Sequence, residues 1–372
     1  MDKHPLHFDG PRAARPEEHA AALRLINSVF RPDNPNAMEA EYPHVFDSDN
    51  RENMRVILKD NEILSHAAIF HSTLRAGDLR FKIGGISSVC THPDYRGMGL
   101  ASEVMRDCIR VMRENGCQLS FLWSDRHGFY RNLGYEPSGS FRLFKPPASL
   151  LSDAAPDCEV LPFSPERLPE IVKIHERDYF RTERTPSLYH TYFSVPRNRT
   201  VLAVRDGNVS AYAVTGKGRY LPEFIHDWGG EPPDLFRLAR ELTAFSANED
   251  VYFLAPACEN DLTQLLIDRN VPGVFMSLAM LNVIDVDGVS AIVRDSVSTR
   301  LGRDFRVVQT PAGVKMKVGR EEAYIEPARM LAGVLFGPQP PSRYLKEFSQ
   351  ETRAALDNAL PIPFFLWGLD WV

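Results

Sequence analysis

Cysteine is scarce, and the chain contains no C-x-x-C motif. The five cysteines, Cys90, Cys108, Cys117, Cys158 and Cys258, are odd in number, which excludes a zinc ribbon and a complete disulfide framework. A reducing, cytoplasmic setting is the expected home. Long apolar runs are missing too: no stretch approaches the ~20 residues of a membrane span. The opening MDKHPLHFDGPRAARPEEH lacks the apolar centre of a secretory signal, so neither export nor a membrane partner is expected. Positive charge is not in excess. Lys plus Arg is 43 against 49 Asp plus Glu, a net charge of -6, so no global basic field draws nucleic acid, and a cationic or neutral small partner suits the chain better. The 11 histidines are scattered, and the nearest pairs, His4 with His7 and His66 with His71, have no Cys or carboxylate at ligand spacing; no metal site is expected. The P-loop pattern G-x-x-x-x-G-K-[ST] is absent, which removes that route to nucleotide hydrolysis.

What is present is ordinary globular composition, 44% hydrophobic and 25% charged over 372 residues, enough for two or three domains at roughly 150 residues each. The segment from Gly10 to Pro147 reads as one α/β unit. Ala21, Leu25, Ile26 and Val29 share a helical face between Glu17 and Phe30, with Pro16 just ahead. A polar loop from Arg31 to Asn50 follows. Two strand-like runs, Met54 to Leu58 and Ile63 to His71, flank the turn residues Lys59-Asp60-Asn61, and a third, Leu79 to Ile83, continues through Gly84-Gly85 into Ile86 to Thr91. A second unit from about Cys158 to Asp285 repeats the order. It has a helix after Ser164-Pro165, paired strands from Thr200 to Thr215 around the hairpin turn Arg205-Asp206-Gly207-Asn208, a Leu-rich helix from Pro233 to Asn248 and a strand Val251 to Leu254. The remainder, 286–372, alternates a helix (Val289 to Leu301) with short strands at Phe305 to Val308, Val314 to Val318 and Glu322 to Ile325, and a segment Pro327 to Phe336. The predicted division is 1–150, 151–285 and 286–372.

The chemistry concentrates at residues 96–101. Arg96, Gly97, Met98, Gly99, Leu100 and Ala101 satisfy R-x-x-G-x-A between a strand and an amphipathic helix whose inner face carries Leu100, Val104, Cys108 and Val111. Glycines there permit unusual backbone angles and close approach, so successive N–H groups can converge on a phosphate oxygen where the helix N-terminus offers partial positive charge. The alternative is that Gly97 and Gly99 only turn a strand into a helix. A dinucleotide fingerprint does not fit, because its third glycine is Ser102 and the loop lies deep within the unit. Nothing in the second unit matches this segment.

From Ile86 to Glu136 the chain reads ISSVCTHPDYRGMGLASEVMRDCIRVMRENGCQLSFLWSDRHGFYRNLGYE. In order these are a strand, the V-x-P-x-Y-R-x-x-G-x-A loop with Cys-Thr-His interposed before Pro93, a helix, a strand from Gln118 to Trp123, and the closing F-Y-x-x-L-G-Y-E from Phe129 to Glu136. This segment resembles the GNAT acetyltransferase superfamily. The whole-chain layout resembles its enhanced-intracellular-survival (Eis) type: two GNAT-like mixed-sheet units in tandem, the second without the loop, followed by a small sterol-carrier-like α+β domain. The resemblance implies an α/β (α+β) fold and an N-acetyltransferase using acetyl-CoA as co-substrate. The coenzyme pyrophosphate would rest on Arg96 to Ala101, and the pantetheine arm would add like a strand against Val89, Cys90 and Thr91. It further implies Tyr130 as general acid toward the leaving thiolate and the Val372 carboxylate as general base. Ser124 matches a family serine that precedes the tyrosine, but at a gap of six residues. A small-molecule or peptide amine would be the acceptor, and the resembling type is often hexameric.

Each role has a plainer counterpart. Tyr130 could pack a helix under the sheet, as Phe129 and Tyr135 could. The apolar end, Phe364 to Val372, could seal the third domain and leave Asp370 as its exposed acid. Cys90 could be a nucleophile or a small strand residue. His127 could relay a proton or sit on the surface. Asp33, Glu39, Glu41 and Asp47 could line an acidic mouth for amines or simply be solvated. For the whole chain, the rival function is a non-catalytic module that senses acyl-CoA or binds a lipid or partner.

Overall fold

Turn residues set the strand boundaries. Asp60 and Asn61 (φ 50° and 66°), like Asp206 and Gly207 (φ 51° and 80°), take the left-handed angles that a two-residue hairpin needs to match the twist of its strands. The computed structural model describes residues 7–34, 36–152, 158–246, 248–258 and 260–372. In chain order its strands are β1 (Asp9–Ala13), β2 (Met54–Lys59), β3 (Glu62–Ala76), β4 (Leu79–Thr91), β5 (Leu119–Leu122), β6 (Glu136–Phe144), β7 (Glu159–Pro162), β8 (Phe180–Thr182), β9 (Arg199–Arg205), β10 (Asn208–Lys217), β11 (Tyr220–Gly230), β12 (Tyr252–Pro256), β13 (Gly273–Val283), β14 (Phe305–Thr310), β15 (Gly313–Val318) and β16 (Glu321–Ile325).

Thirteen strands form one mixed sheet in the order β1-β2-β3-β4-β5-β13-β6-β12-β11-β10-β9-β7, with β8 against β3. Its two halves exchange strands. β13, late in the chain, pairs antiparallel with β5 from Met280 to Val283. β6, early in the chain, pairs antiparallel with β12 from Phe141 to Phe144. β6 and β13 then pair with each other. Neither half completes its sheet without the other, so the halves are interlocked by backbone hydrogen bonds as well as by side chains. Helices cover the sheet. The helix Leu100–Glu114 buries Leu100, Val104, Met105, Cys108 and Met112, and Val111 at the edge of that face is half-buried. Its Asp107 is held by Arg55 at 2.6 Å. The helix Pro232–Thr243 does the same for the second half, burying Leu235, Leu238, Ala239 and Leu242.

The predicted polar loop at 31–50 instead contains two short helices, Ala37–Glu41 and Pro43–Phe46, which bury Met38, Val45 and Phe46. The three-stranded sheet β14-β15-β16 packs on the helix Val286–Leu301, capped by Asp285 and ended by the left-handed Gly302. After the helix Gln350–Ala359 the chain runs extended back into the molecule, and Phe364 to Asp370 are buried. No helix among the described residues is long and apolar enough to cross a membrane.

Candidate active site

The site forms where two parallel strands part. β4 and β5 pair at Ile83 with Leu119, Gly84 with Ser120 and Gly85 with Phe121. β4 then continues to Thr91 on β3 alone. From Ile86 onward its other edge therefore offers unpaired backbone groups, the template on which an extended chain can add. Opposite Ala68 and His66 the register shifts by one residue between Ser87 and Cys90, and Ser88 takes φ 51°. This bulge re-aims the backbone at the mouth of the wedge. The Ser88 carbonyl contacts Nδ1 of the buried His66 at 3.1 Å, and burial holds that imidazole down to about 4. Val89 and Thr91 are half-buried, whereas Cys90 points inward. Burial pushes the Cys90 thiol up to about 12, which removes its thiolate at neutral pH and speaks against a covalent acetyl-cysteine.

Beyond β4 the loop turns outward. Gly97 (φ 81°) and Gly99 (φ 83°) both adopt left-handed angles, and a Cβ at either would meet nothing within 4 Å. The space in front of the loop is therefore open, and the glycines serve conformation rather than internal packing. Gly99 is the N-cap of Leu100–Glu114 and has no side chain to cap it. The Ser102 amide already donates to the Gly99 carbonyl at 2.9 Å, so the amides that the helix start can offer, with the dipole behind them, are those ahead of it. Arg96 folds beside them, its Nε donating to the Thr91 carbonyl at 3.4 Å.

Tyr130 lies on the short helix His127–Arg131, which follows β5. It is 8% exposed, edge-on to Phe129 at 4.9 Å and to Tyr135 at 6.0 Å. Burial raises its pKa, opposed by a hydrogen bond with Ser124. Despite the gap of six residues, Ser124 is near enough to act on the Tyr130 phenol, and its Oγ accepts from the Arg126 amide at 3.1 Å. Tyr135 is the packing tyrosine, fully buried and bonded to the Ser120 hydroxyl at 2.7 Å.

The chain end reaches the same wedge. A Cβ on Gly85 would lie 2.6 Å from Val372 Cγ2 and 2.7 Å from Phe121 Cζ, so glycine at 85 leaves room for the last side chain where β4 and β5 part. Trp371 lies over Trp123 at 4.9 Å. Asp370 is not an exposed acid: it is buried and accepts from Arg184 and Thr182, each at 2.6 Å. Tyr130 and Val372 sit in separate apolar clusters.

Residues 11–138 match the family described as Acetyltransferase (GNAT) domain. Among solved structures, a GCN5-related N-acetyltransferase from Anabaena variabilis is 17% identical at a TM-score of 0.70, covering 98% of this chain and 100% of that one. A GCN5-related N-acetyltransferase from Kribbella flavida is 18% identical at 0.68, over 98% and 100%. Eis1 from Mycobacterium abscessus is 13% identical at 0.64, over 96% and 99%. A search of curated proteins finds no match. The first part of the chain thus carries the acetyltransferase (GNAT) domain match, and the whole chain shares the fold of these structures.

The second half of the chain has the same wedge, but filled. β11 and β12 pair in parallel only at Phe224 with Tyr252 and Ile225 with Phe253. Just beyond, the Trp228 indole spans the gap to the Leu254 carbonyl at 3.0 Å. Where the first half has Gly99, the second has Glu231 as N-cap followed by Pro232 and Pro233. The remaining expected residues take plain roles. His127 is exposed. Glu41 forms a buried ion pair with Arg31, Glu39 accepts from Asn27 at 2.8 Å, and Asp47 accepts from the Asp49 amide at 2.9 Å. Of these acids Asp33 and Asp47 are exposed, whereas Glu39 is half-buried and Glu41 buried. His4 lies outside the described residues, and His71 contacts Cys117 Sγ at 3.3 Å and Asn53. No group of three or more metal-ligating side chains occurs among the described residues.

Sequence reasoning missed the residues that hold the chain end. Lys217, 1% exposed, donates to the carbonyls of Gly368 (3.1 Å), Leu369 (2.8 Å) and Trp371. Burial pushes its ammonium down to about 7, partly offset by Asp370. Arg184 joins Asp370 to Asp227. Within T-G-K-G-R, Lys217 reads as a turn lysine, and no local signal marks it as buried.

Proposed function

We propose that the enzyme transfers the acetyl group of acetyl-CoA directly to an amine, with Tyr130 as general acid and the Val372 carboxylate as general base. The observation that carries this reading is the chain end itself, seated against Gly85 where β4 leaves β5 and beside the free edge of β4. In the proposed step the amine nitrogen attacks the thioester carbonyl and the C–S bond breaks. The carboxylate takes the proton from nitrogen, and the departing thiolate takes one from Tyr130. An unperturbed tyrosine is a weaker acid than a thiol by about 2 kcal/mol. Burial of Tyr130 adds to that difference and keeps the phenol protonated at neutral pH. On this reading the pyrophosphate binds the amides around Gly97 and Gly99 with Arg96. The pantetheine adds along Val89 to Thr91, and Ser124 orients Tyr130. The net charge of -6 favours a basic amine as acceptor. The same reading keeps the three-part division at 150 and 285, with the last part sterol-carrier-like, in a cytoplasmic homo-oligomer.

CoA release measured over a panel of amines tests this. Tyr130→Phe is expected to lower kcat by roughly 10²–10⁴-fold, as is one alanine appended after Val372, which moves the carboxylate away. Wild-type turnover with no amine in the panel would overturn the assignment. Full activity in Tyr130→Phe would remove the acid.

A further inference from the structure

The second half lacks the glycine loop, yet it holds a fully buried ion-pair network that packs against the last residues of the chain. The Arg184 side chain has no exposure and meets Asp227 and Asp370 at 2.6 Å each. Tyr212 donates to the other oxygen of Asp227 at 2.9 Å. Lys217 lies between the rings of Tyr42 and Tyr192, at 5.3 and 5.8 Å, and sends its three donors to three carbonyls within four residues of the terminus. Gly368 lies so close to His226 that a Cβ would fall 2.4 Å from Nδ1. The Trp367 indole donates to the Phe180 carbonyl at 2.8 Å.

Packing alone does not call for this. Desolvating a lysine and an arginine costs several kcal/mol each, and apolar residues of similar volume commonly stabilise as well or better. An ammonium with three donors does something an apolar side chain cannot: it fixes the path of successive carbonyls and so the position of the residue joined to the last of them. After Trp371 that residue is Val372. We propose that the loop-less second half is a clamp for the chain end, in which Lys217 and Arg184 are positioning residues that hold the Val372 carboxylate at the parting of β4 and β5. This rests on reading Val372 as the base.

The test is a double-mutant cycle in the full chain between Lys217→Met and the alanine extension after Val372. Release of valine by a carboxypeptidase serves as a second readout. The expected result is a kcat reduced by at least roughly 10²-fold in each single variant, as a displacement of about 1 Å can cause. The KM for acetyl-CoA should stay within about twofold, since the coenzyme loop is untouched. The combined variant should be no worse than either single one, and valine should be released faster from Lys217→Met. If Lys217→Met does not fold, Gly368→Ala, which adds one methyl group against His226 and removes no charge, takes its place. Full kcat in Lys217→Met, or losses that multiply in the combined variant, would overturn the clamp and leave the base in place. An extension without effect would remove the base, and the positioning role with it.

Discussion

The two halves of the sheet solve one problem in opposite ways. Each has a parallel strand pair that parts after two or three residues, β4 with β5 and β11 with β12. In the first half the wedge stays open to solvent at the Gly97-Met98-Gly99 turn, and the chain end lines it. In the second, Trp228 bridges it and a tight ion-pair network closes the floor. The N-termini of the following helices differ in the same sense. Gly99 leaves amides free, whereas Pro232 and Pro233 have no N–H to donate. Glu231 and the buried Asp234, bonded to Arg205 and Ser210, meet the helix dipole with the protein's own negative charge. A strand-turn-helix is thus an anion site only when the backbone is bare and no carboxylate is already seated there.

The sharpest way to break this contrast is to close the open half. Replacing both Gly97 and Gly99 with valine forces left-handed angles on β-branched residues and should cost at least two charge-assisted bonds to the pyrophosphate. At roughly 1.5–3 kcal/mol each this is a loss of about 10²–10⁴ in acetyl-CoA affinity. Calorimetric titration should report one site per chain in the wild type and none in the variant. The reverse change, Pro232→Gly with Pro233→Gly, should create no second site, because Asp234 still occupies the helix end; a second coenzyme bound there would refute the contrast.

Next in size is the cost of opening the closed half. Asp370→Ala leaves Arg184 buried with one partner fewer and should destabilise the fold by about 3–5 kcal/mol, read as a lower urea midpoint at unchanged slope. Asp94→Ala, on the exposed turn before the glycine loop with its side chain 83% accessible, should stay within about 0.5 kcal/mol. Equal effects at the two positions would show that rigidity is not concentrated in the second half.

Acid should also distinguish the halves. Burial holds His66 in the first half and His175 in the second down to about 4, and His226 in the second to about 3. His44, buried against Tyr192 at the seam, is also lowered. The unfolded chain binds these protons near pH 6.5, and the folded chain refuses them. Stability is therefore complete above about 6.5 and falls as pH drops toward 4, by up to roughly 3 kcal/mol for each histidine held near 4. With two of these histidines in its core, the second half should lose amide protection first. His226→Gln should flatten the slope; an unchanged pH profile would show that His226 does not contribute to it.

What could be read in advance was local. The Asp60-Asn61 and Asp206-Gly207 turns and the glycine loop owe their shape to one or two residues that accept positive φ, so they show in the sequence. Strand exchange does not. Gly273–Val283 is a mostly apolar run, broken by Ser277 and Asn282, whose pattern says nothing about lying between β5 and β6, and only the assembled sheet selects that partner. The segment 31–50 has a loop's composition, yet it folds into short helices because Arg31 and Glu41 pair and Met38 and Phe46 find a core. Lys217 and Asp370 were illegible for the opposite reason: charged residues are exposed by default, and only their distant partners make burial tolerable. The turn at Gly97 and Gly99 and the short helix that carries Tyr130 were legible, whereas the bonds from Lys217 to the last residues were not.

The smallest effect concerns His127, one turn before Tyr130. A relay would require an imidazole beside the phenol, but Ser124 and not His127 acts on the Tyr130 phenol, and His127 faces solvent at the start of its helix. His127→Ala should therefore change kcat by less than about twofold, the effect of an exposed side chain outside any network, and its pH–rate profile should overlay that of the wild type. A shifted acidic limb would instead draw His127 into the proton path. Ser124→Ala, which removes the hydrogen bond opposing the burial of Tyr130, should raise the phenol's pKa and move the basic limb upward. The contrast between the two halves of the sheet thereby comes down to two hydroxyls: Tyr130, beside Ser124 in the first half, and Tyr212, locked onto Asp227 in the second.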